Sequence, residues 1–484
     1  MHKNKLLTLF FTILISSSLA MANDVISGEI KYGLKTEYAL AQNKFALSNI
    51  KPAHNEFARI IKNATSKDFI LLEQAIDLAE YGFFDLTDEI FSKIDDFDIS
   101  QNYIKEIKAF YYPNKRMDLE HLLQLAESYS NIMYNNYAQE TIVNIINDAE
   151  IMQEQDYTFY ILALGYYETK DFNQALNYIS LATSQNSNIN YKILKTKILL
   201  EVNQRKNAIK LLEEIKKTKL QIPSLKRKVD SLEQYVLYKT SKNENSKDYH
   251  LGYYYHLEGK QTFAQNVLSD GISNNPKLNG KIYSLLAFIN LETNPKKAEE
   301  YAKKAIRTGF EDFRAPYTLA TLKLKEEHLR GAQRLFTKAA SIEKNSYLSK
   351  SQIADILKRN GKEKKAYKVW TAGNKKFPSD YKILYNLAQY NQDSSENLLK
   401  KALSFNAYYA PAYDKLCEIY INRENFELAK KYANNLLYID ENDFKYYYYL
   451  SKIEALMGNN AEAEIFLKQC ETIEPSYRDK IDKE

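Results

Sequence analysis

The chain has 484 residues but only 13 Gly and 9 Pro, where average usage would give roughly 58 such breakers, so a turn-rich β-sandwich or barrel is excluded. It is 45% hydrophobic and 27% charged, the balance of a folded protein rather than a disordered one. The formal net charge of +5 is too modest for a nucleic-acid binder, whose affinity rests on neutralising phosphates.

Residues 1–22 read as a signal peptide. Lys3 and Lys5 supply positive charge, residues 6–15 form an apolar run broken only by Thr8 and Thr12, and Ala20, Met21 and Ala22 offer a small-residue cleavage site. The run is too short to span a bilayer, which takes about 20 apolar residues. No cysteine lies near the cleavage site, so no lipid anchor is expected there. The expectation is an exported chain starting at Asn23, periplasmic or else secreted, with no membrane span after cleavage.

From there a loose period becomes a strict one. Asp68 starts a weak copy, with Ala75, Leu78, Gly82, Phe84 and Phe91, and Leu119 a better one, with Leu125, Ala126, Tyr129 and Ala138. Asp156 starts a good copy, carrying Leu162, Ala163, Tyr166, Phe172, Ala175, Ile179 and Ala182. Residues 191–215 fit with one residue deleted. Residues 224–239 then predict an extra helix, and residues 241–247 (SKNENSK) a polar stretch without apolar periodicity. These features divide the mature chain into a degenerate helical region over 23–240 and an array over 245–477, followed by a polar tail over 478–484; one unbroken superhelix with a long loop is the alternative.

In the array, segments start at 245, 279, 313, 347 and 381 with a period of 34, and two more start at 410 and 444. The first has Leu251 and Gly252 at offsets 7 and 8, then Tyr255, Ala264, Leu268, Gly271 and Pro276 at 11, 20, 24, 27 and 32. From Tyr347 the same offsets read Ile353, Ala354, Leu357, Ala366, Trp370, Gly373 and Pro378; from Phe444 they read Leu450, Ser451, Glu454, Ala463, Leu467, Cys470 and Pro475. The segment from Tyr381 is short, with the loss placed in its first helix or in the turn at 391–395. Offsets 7, 8 and 11 share one helical face and 20, 24 and 27 another. A lone helix pair of this kind cannot bury its apolar face, so pairs must stack. The prediction is an all-α fold, an α-solenoid of stacked antiparallel helix pairs with about seven repeats in the array.

This pattern resembles the tetratricopeptide (TPR) repeat, whose signature runs large residue, Leu-Gly, Tyr, Ala, Phe, Ala, Pro at these spacings. The resemblance implies a superhelix whose first helices line a concave groove, with offsets 2, 5, 9, 12 and 13 meeting a bound protein. Offset 5 reads Tyr160, Tyr249, Tyr283, Tyr317, Ser351, Tyr385, Asp414 and Tyr448, six of eight tyrosine. Tyr253 and His256, at offsets 9 and 12, widen the stripe, and the helix that carries them with Tyr249 is the preferred locus. Tyrosine supplies rigid contact area with a polar tip, for a protein partner or for stacking on sugar rings; tyrosine is also the family's packing residue at offset 5, so the stripe reads equally as scaffold.

No phosphate loop, paired-histidine metal motif or nucleophile elbow occurs, so neither an enzyme, a cofactor nor a metal is expected. Cys417 and Cys470 fall at small-residue core offsets 8 and 27. Charge is uneven: residues 23–150 hold 12 basic and 21 acidic side chains, and 151–484 hold 53 and 41. A basic patch of Lys358, Arg359, Lys362, Lys364, Lys365 and Lys368 faces only Glu363 and suggests an acidic partner. The last helix, with Phe466, Leu467 and Ile473 and no capping helix after it, is a candidate surface for self-association. The function expected is a protein-binding scaffold of the bacterial cell envelope, with a module for envelope glycan or exopolysaccharide export as the alternative.

Overall fold

A computed structural model describes residues 34–477 apart from 64–68, 95–97, 116, 149–150, 152–154, 274, 345–347, 377 and 379. The signal-peptide and tail expectations lie outside the described residues. Within them the chain is all-α, with 26 α-helices and no strand.

The N-terminal helices pair as Leu34–Ala46 with Ile50–Asn63 and Phe69–Tyr81 with Phe84–Lys93, followed by the single helix Asp98–Tyr111. Next come Leu119–Ser130 with Ala138–Asn147, Asp156–Glu168 with Phe172–Gln185, Ile189–Glu201 with Arg205–Lys216, and the extra helix Pro223–Thr240, which packs along Glu244–Leu257. Seven pairs follow: Glu244–Leu257 with Gln261–Asp270, Pro276–Ile289 with Pro295–Arg307, Arg314–Lys325 with Leu329–Ile342, Leu348–Arg359 with Glu363–Lys376, Tyr381–Ala388 with Ser395–Phe405, Ala410–Asn422 with Phe426–Ile439, and Phe444–Leu456 with Asn460–Ile473. Each pair packs on the next, which makes the fold an α-solenoid.

The recurring offsets have physical roles. Offset 20 is alanine in Ala175, Ala264, Ala298, Ala332, Ala366, Ala429 and Ala463, all buried where the two helices of a pair cross. At offset 8, a Cβ on Gly252 would lie 2.5 Å from Leu268 Cγ, so only glycine permits that approach. The turns inside six of the pairs pass through left-handed backbone at offset 15, in Lys170, Gly259, Glu327, Gly361, Glu424 and Gly458. Three of those six are not glycine; the turn is imposed by the helices on either side despite its steric cost to a side chain. Asn and Asp start many helices by accepting backbone N–H bonds, as Asn275 does from Leu278 and Asn425 from Leu428.

Three local expectations are corrected or refined. The stretch 241–247 is not all loop: the helix begins at Glu244, with Asn243 accepting from Ser246 N–H as its cap. In the short repeat it is the first helix that is cut, to the eight residues Tyr381–Ala388, before a 3-10 turn at Gln392–Ser394. Beyond the last helix, Tyr477 is buried and its ring comes within 6.5 Å of Tyr448, while Ile465 stays exposed.

The largest departure from an open array is a clasp between distant parts of the chain. Phe69 and Ile70 are buried in one apolar cluster with Leu399, Leu403, Ala407 and Tyr413. Gln74 Nε2 donates to Tyr438 Oη at 2.8 Å, a buried hydrogen bond across 364 residues of sequence. Leu384, Ala402 and Phe405 belong to the cluster that fills the N-terminal repeats. The superhelix thus curls until its first helices meet its fifth and sixth C-terminal pairs.

Two carboxyls sit behind the clasp. Burial raises the Glu73 carboxyl to about 7, with Asp77 adding and Arg227 opposing. Burial raises Asp77 to about 6, helped by Glu80 and opposed by Lys228 and by the hydrogen bond from Tyr38. Both titrate above their ordinary values of 4.5 and 3.8, so their contribution to stability is complete below about pH 4 and is lost as pH rises through about 6 and about 7. The urea midpoint is expected to fall less steeply in Glu73→Gln than in the parent between about pH 5 and about pH 8. Identical pH profiles for the two proteins would contradict this.

Candidate functional site

In the first three repeats of the array consecutive first helices touch one another, Glu244–Leu257 with Pro276–Ile289 and Pro276–Ile289 with Arg314–Lys325, more closely than the second helices do. There the first helices form the inner layer of the curve and line the groove.

In the N-terminal half the chain fills that groove itself. Helix Pro223–Thr240 packs on the first helix Ile189–Glu201 on one side. On the other, Lys228 Nζ reaches Glu80 Oε1 at 2.7 Å and lies 6.0 Å from the Tyr111 ring. The Glu106 carboxylate accepts the N–H groups of Gln221 and Ile222 as the helix begins. One helix thus bridges both walls. Tyr160 lies in this filled stretch: it is buried, stacked 4.9 Å from Tyr191, and its hydroxyl accepts from Asn190.

Where the strict repeat begins, inner-face groups gather around Arg314. Its Nη2 donates to Tyr249 Oη at 2.8 Å, and its Nε and Nη2 donate to the Asp312 carboxylate at 2.9 and 2.5 Å. The guanidinium lies 5.3 Å from the Tyr253 ring centre, within cation–π range. His256 stacks on Tyr253 at 6.2 Å and meets Phe288 edge-on at 6.3 Å; Phe288 in turn lies 6.1 Å from Tyr317. Burial lowers the His256 pKa, and the nearby cations Arg314 and Arg227 lower it further against the bond to Gln261. The ring is therefore neutral at pH 7, an apolar face with a hydrogen-bonding edge.

The predicted residues divide by their surroundings. Tyr249, Tyr253, His256 and Tyr317 come together here, with Tyr249 and Tyr317 buried and Tyr253 and His256 half-buried. Tyr283 stacks on Tyr301 of its own pair's second helix at 6.1 Å. Tyr385 meets Tyr409 edge-on at 5.4 Å, and Tyr448 lies at the far end of the array beside Tyr477. Sequence reasoning missed Arg314 and Phe288; offset 2, which Arg314 occupies, was the signal available. The basic patch also divides: Lys358 is half-buried and donates to the Gln389 side chain, whereas Arg359, Lys362, Lys364, Lys365 and Lys368 are exposed.

Neither cysteine is bonded to the other. The Cys417 thiol donates to Ala429 O at 3.6 Å and the Cys470 thiol to Phe444 O at 3.3 Å, and burial pushes their pKa values up to about 12 and about 11, which keeps both protonated and unreactive. Among the described residues no His, Cys, Asp and Glu side chains gather as a metal site, and no helix is long and apolar enough to cross a membrane.

No protein-family model and no curated protein matches the chain. Among solved structures it is similar to the APC/C hetero-tetramer Cut9-Hcn1, over 96% of this chain and 96% of that chain, at 13% identity and a TM-score of 0.45. It is also similar to the MamA protein, over 34% of this chain and 94% of that chain, at 17% identity and a TM-score of 0.29. A third, MamA 41-end from Desulfovibrio magneticus RS-1, is 18% identical over 41% of this chain and 96% of that one, with a TM-score of 0.22. At these identities and scores no residue's role passes from those proteins to this one.

Proposed function

We propose that this protein is a non-catalytic scaffold of the bacterial cell envelope that holds a protein partner in the groove of its C-terminal repeats. The observation that carries the reading is the inner-face cluster of Tyr253, His256 and Phe288 around Arg314. A rigid lattice holds half-buried aromatic groups beside a fixed cation, next to the helix Pro223–Thr240 that packs along Glu244–Leu257. Aromatic and arginine side chains that are already ordered lose little entropy on binding, which is why they dominate recognition surfaces. The envelope part of the proposal rests on the signal-like residues 1–22.

The glycan alternative has less support. Sugar recognition by stacking needs free ring faces, and Tyr160 and Tyr283 each give one face to Tyr191 and Tyr301.

A photoreactive amino acid placed at Tyr253 in cells is expected to capture a defined protein, while the same probe at Lys303 on an outer helix captures none. Tyr253→Ala with His256→Ala is expected to weaken the captured complex at least about tenfold. Equal capture from both positions would count against a groove partner.

A further inference from the structure

Outside the groove, lysines converge on a cleft at the edge of the array. Lys350, near the start of Leu348–Arg359, and Lys368 and Lys376 of Glu363–Lys376 border a cavity of about 420 Å³. Among the described residues its remaining lining is Val369, Ala372 and Gly373. The Nζ atoms of Lys350 and Lys376 each lie 3.4 Å from the carbonyl oxygen of Lys344, so a single acceptor holds two ammonium groups side by side. Lys368 is exposed and makes no ion pair among the described residues.

Three other second helices pair a lysine with a glutamate four residues earlier, as in Glu299 with Lys303, Glu300 with Lys304, Glu396 with Lys400 and Glu464 with Lys468. The residues four before Lys364, Lys365 and Lys368 are Asn360, Gly361 and Lys364, so none of these three lysines has a glutamate at that spacing. The cleft itself is a lattice feature. One repeat earlier a cavity of about 110 Å³ shares three of these positions, as Pro316, Lys338 and Ile342, and also takes in Phe310, Glu311 and Asp312. In the later repeat Lys350 replaces Pro316, Lys376 replaces Ile342 and Ala372 replaces Lys338 at the same offsets, so the cationic rim is not shared with the repeat before it.

We propose that this cleft is a second docking site, independent of the groove, for an acidic protein segment that seats one apolar side chain between its carboxylates. The floor of Val369, Ala372 and Gly373 offers no side-chain hydrogen-bonding group to a sugar hydroxyl and gains by burying an aliphatic group. The rim lysines attract carboxylates and steer their approach.

The test is fluorescence anisotropy on the full chain with a labelled Glu-Glu-Leu-Glu-Glu peptide, the same peptide with serine for leucine, and phosphatidylglycerol vesicles. The leucine peptide is expected to bind, more tightly than the serine peptide, and to release as salt rises. Lys350→Glu with Lys368→Glu is expected to weaken it at least about tenfold. Ala372→Trp fills the cleft without touching the charges and is expected to weaken it too, with the circular dichroism of both variants unchanged. The proposal is overturned if neither peptide binds, if the serine peptide binds as tightly as the leucine peptide, if Ala372→Trp has no effect, or if only the vesicles bind.

Discussion

Trp370→Ala is expected to lower the stability of the C-terminal array by about 3–5 kcal/mol, the cost of removing a buried indole from a site that cannot collapse around the loss. Trp370 is fully buried between Ala354, Ala366, Ile383 and Leu387, and its ring lies 5.7 Å from Tyr390. It therefore joins two successive helix pairs rather than packing within one. Its Nε1 has no hydrogen-bond partner, so Trp370→Phe keeps most of the contact and gives up an unsatisfied donor; it is expected to cost far less than the alanine variant. Equilibrium urea unfolding followed by circular dichroism measures both. Because this is the chain's single tryptophan, its fluorescence in the parent reports the unfolding of that junction alone. Equal losses for alanine and phenylalanine would show that the indole's volume is not what holds the two pairs together.

Ile70→Asp is expected to open the clasp. Ile70 is buried against residues more than three hundred positions away in sequence, and a carboxylate there has no partner to offset its loss of water. The repeats contact mainly their neighbours and are each stabilised locally, so helix content should survive while the superhelix uncurls. Small-angle X-ray scattering should show a larger radius of gyration with unchanged far-ultraviolet circular dichroism. Tyr438→Phe makes a milder probe: it removes the hydroxyl that accepts from Gln74 and leaves that buried amide unpaired, at about 1–3 kcal/mol. An unchanged radius in Ile70→Asp would mean that the curvature of the stack, not the clasp, sets the shape.

The lattice was readable from spacing because each repeat places the same side-chain sizes at the same crossings. Ala264, Ala298 and Ala332 announce the close approach of two helices before any coordinates are seen, and Pro223 begins the extra helix that the apolar pattern of 224–239 suggests. Turn chemistry was less legible. Glu327 and Glu424 hold left-handed backbone that local preference would assign to glycine, since the flanking helices outweigh the local cost. At 241–247 the polar composition pointed to a loop, and the Asn243 cap started a helix within it.

Of the candidate site, the tyrosine lattice was visible but its orientation was not. Tyr283 and Tyr253 are both offered by the period, yet one ring stacks within its own repeat and the other lies against Arg314 on the inner face. Arg314 and Phe288 carry no motif of their own; they matter because adjacent repeats set them beside Tyr253 and His256.

By itself the sequence determined the all-α class, the helix pairs and the residues at their crossings, because those depend on contacts between neighbours along the chain. Only the tertiary structure decided that the first helices meet the fifth and sixth C-terminal pairs, and that one helix fills the N-terminal groove. Both depend on small rotations summed over many repeats, a quantity that no single repeat encodes and that fixes which inner-face groups are left open to a partner.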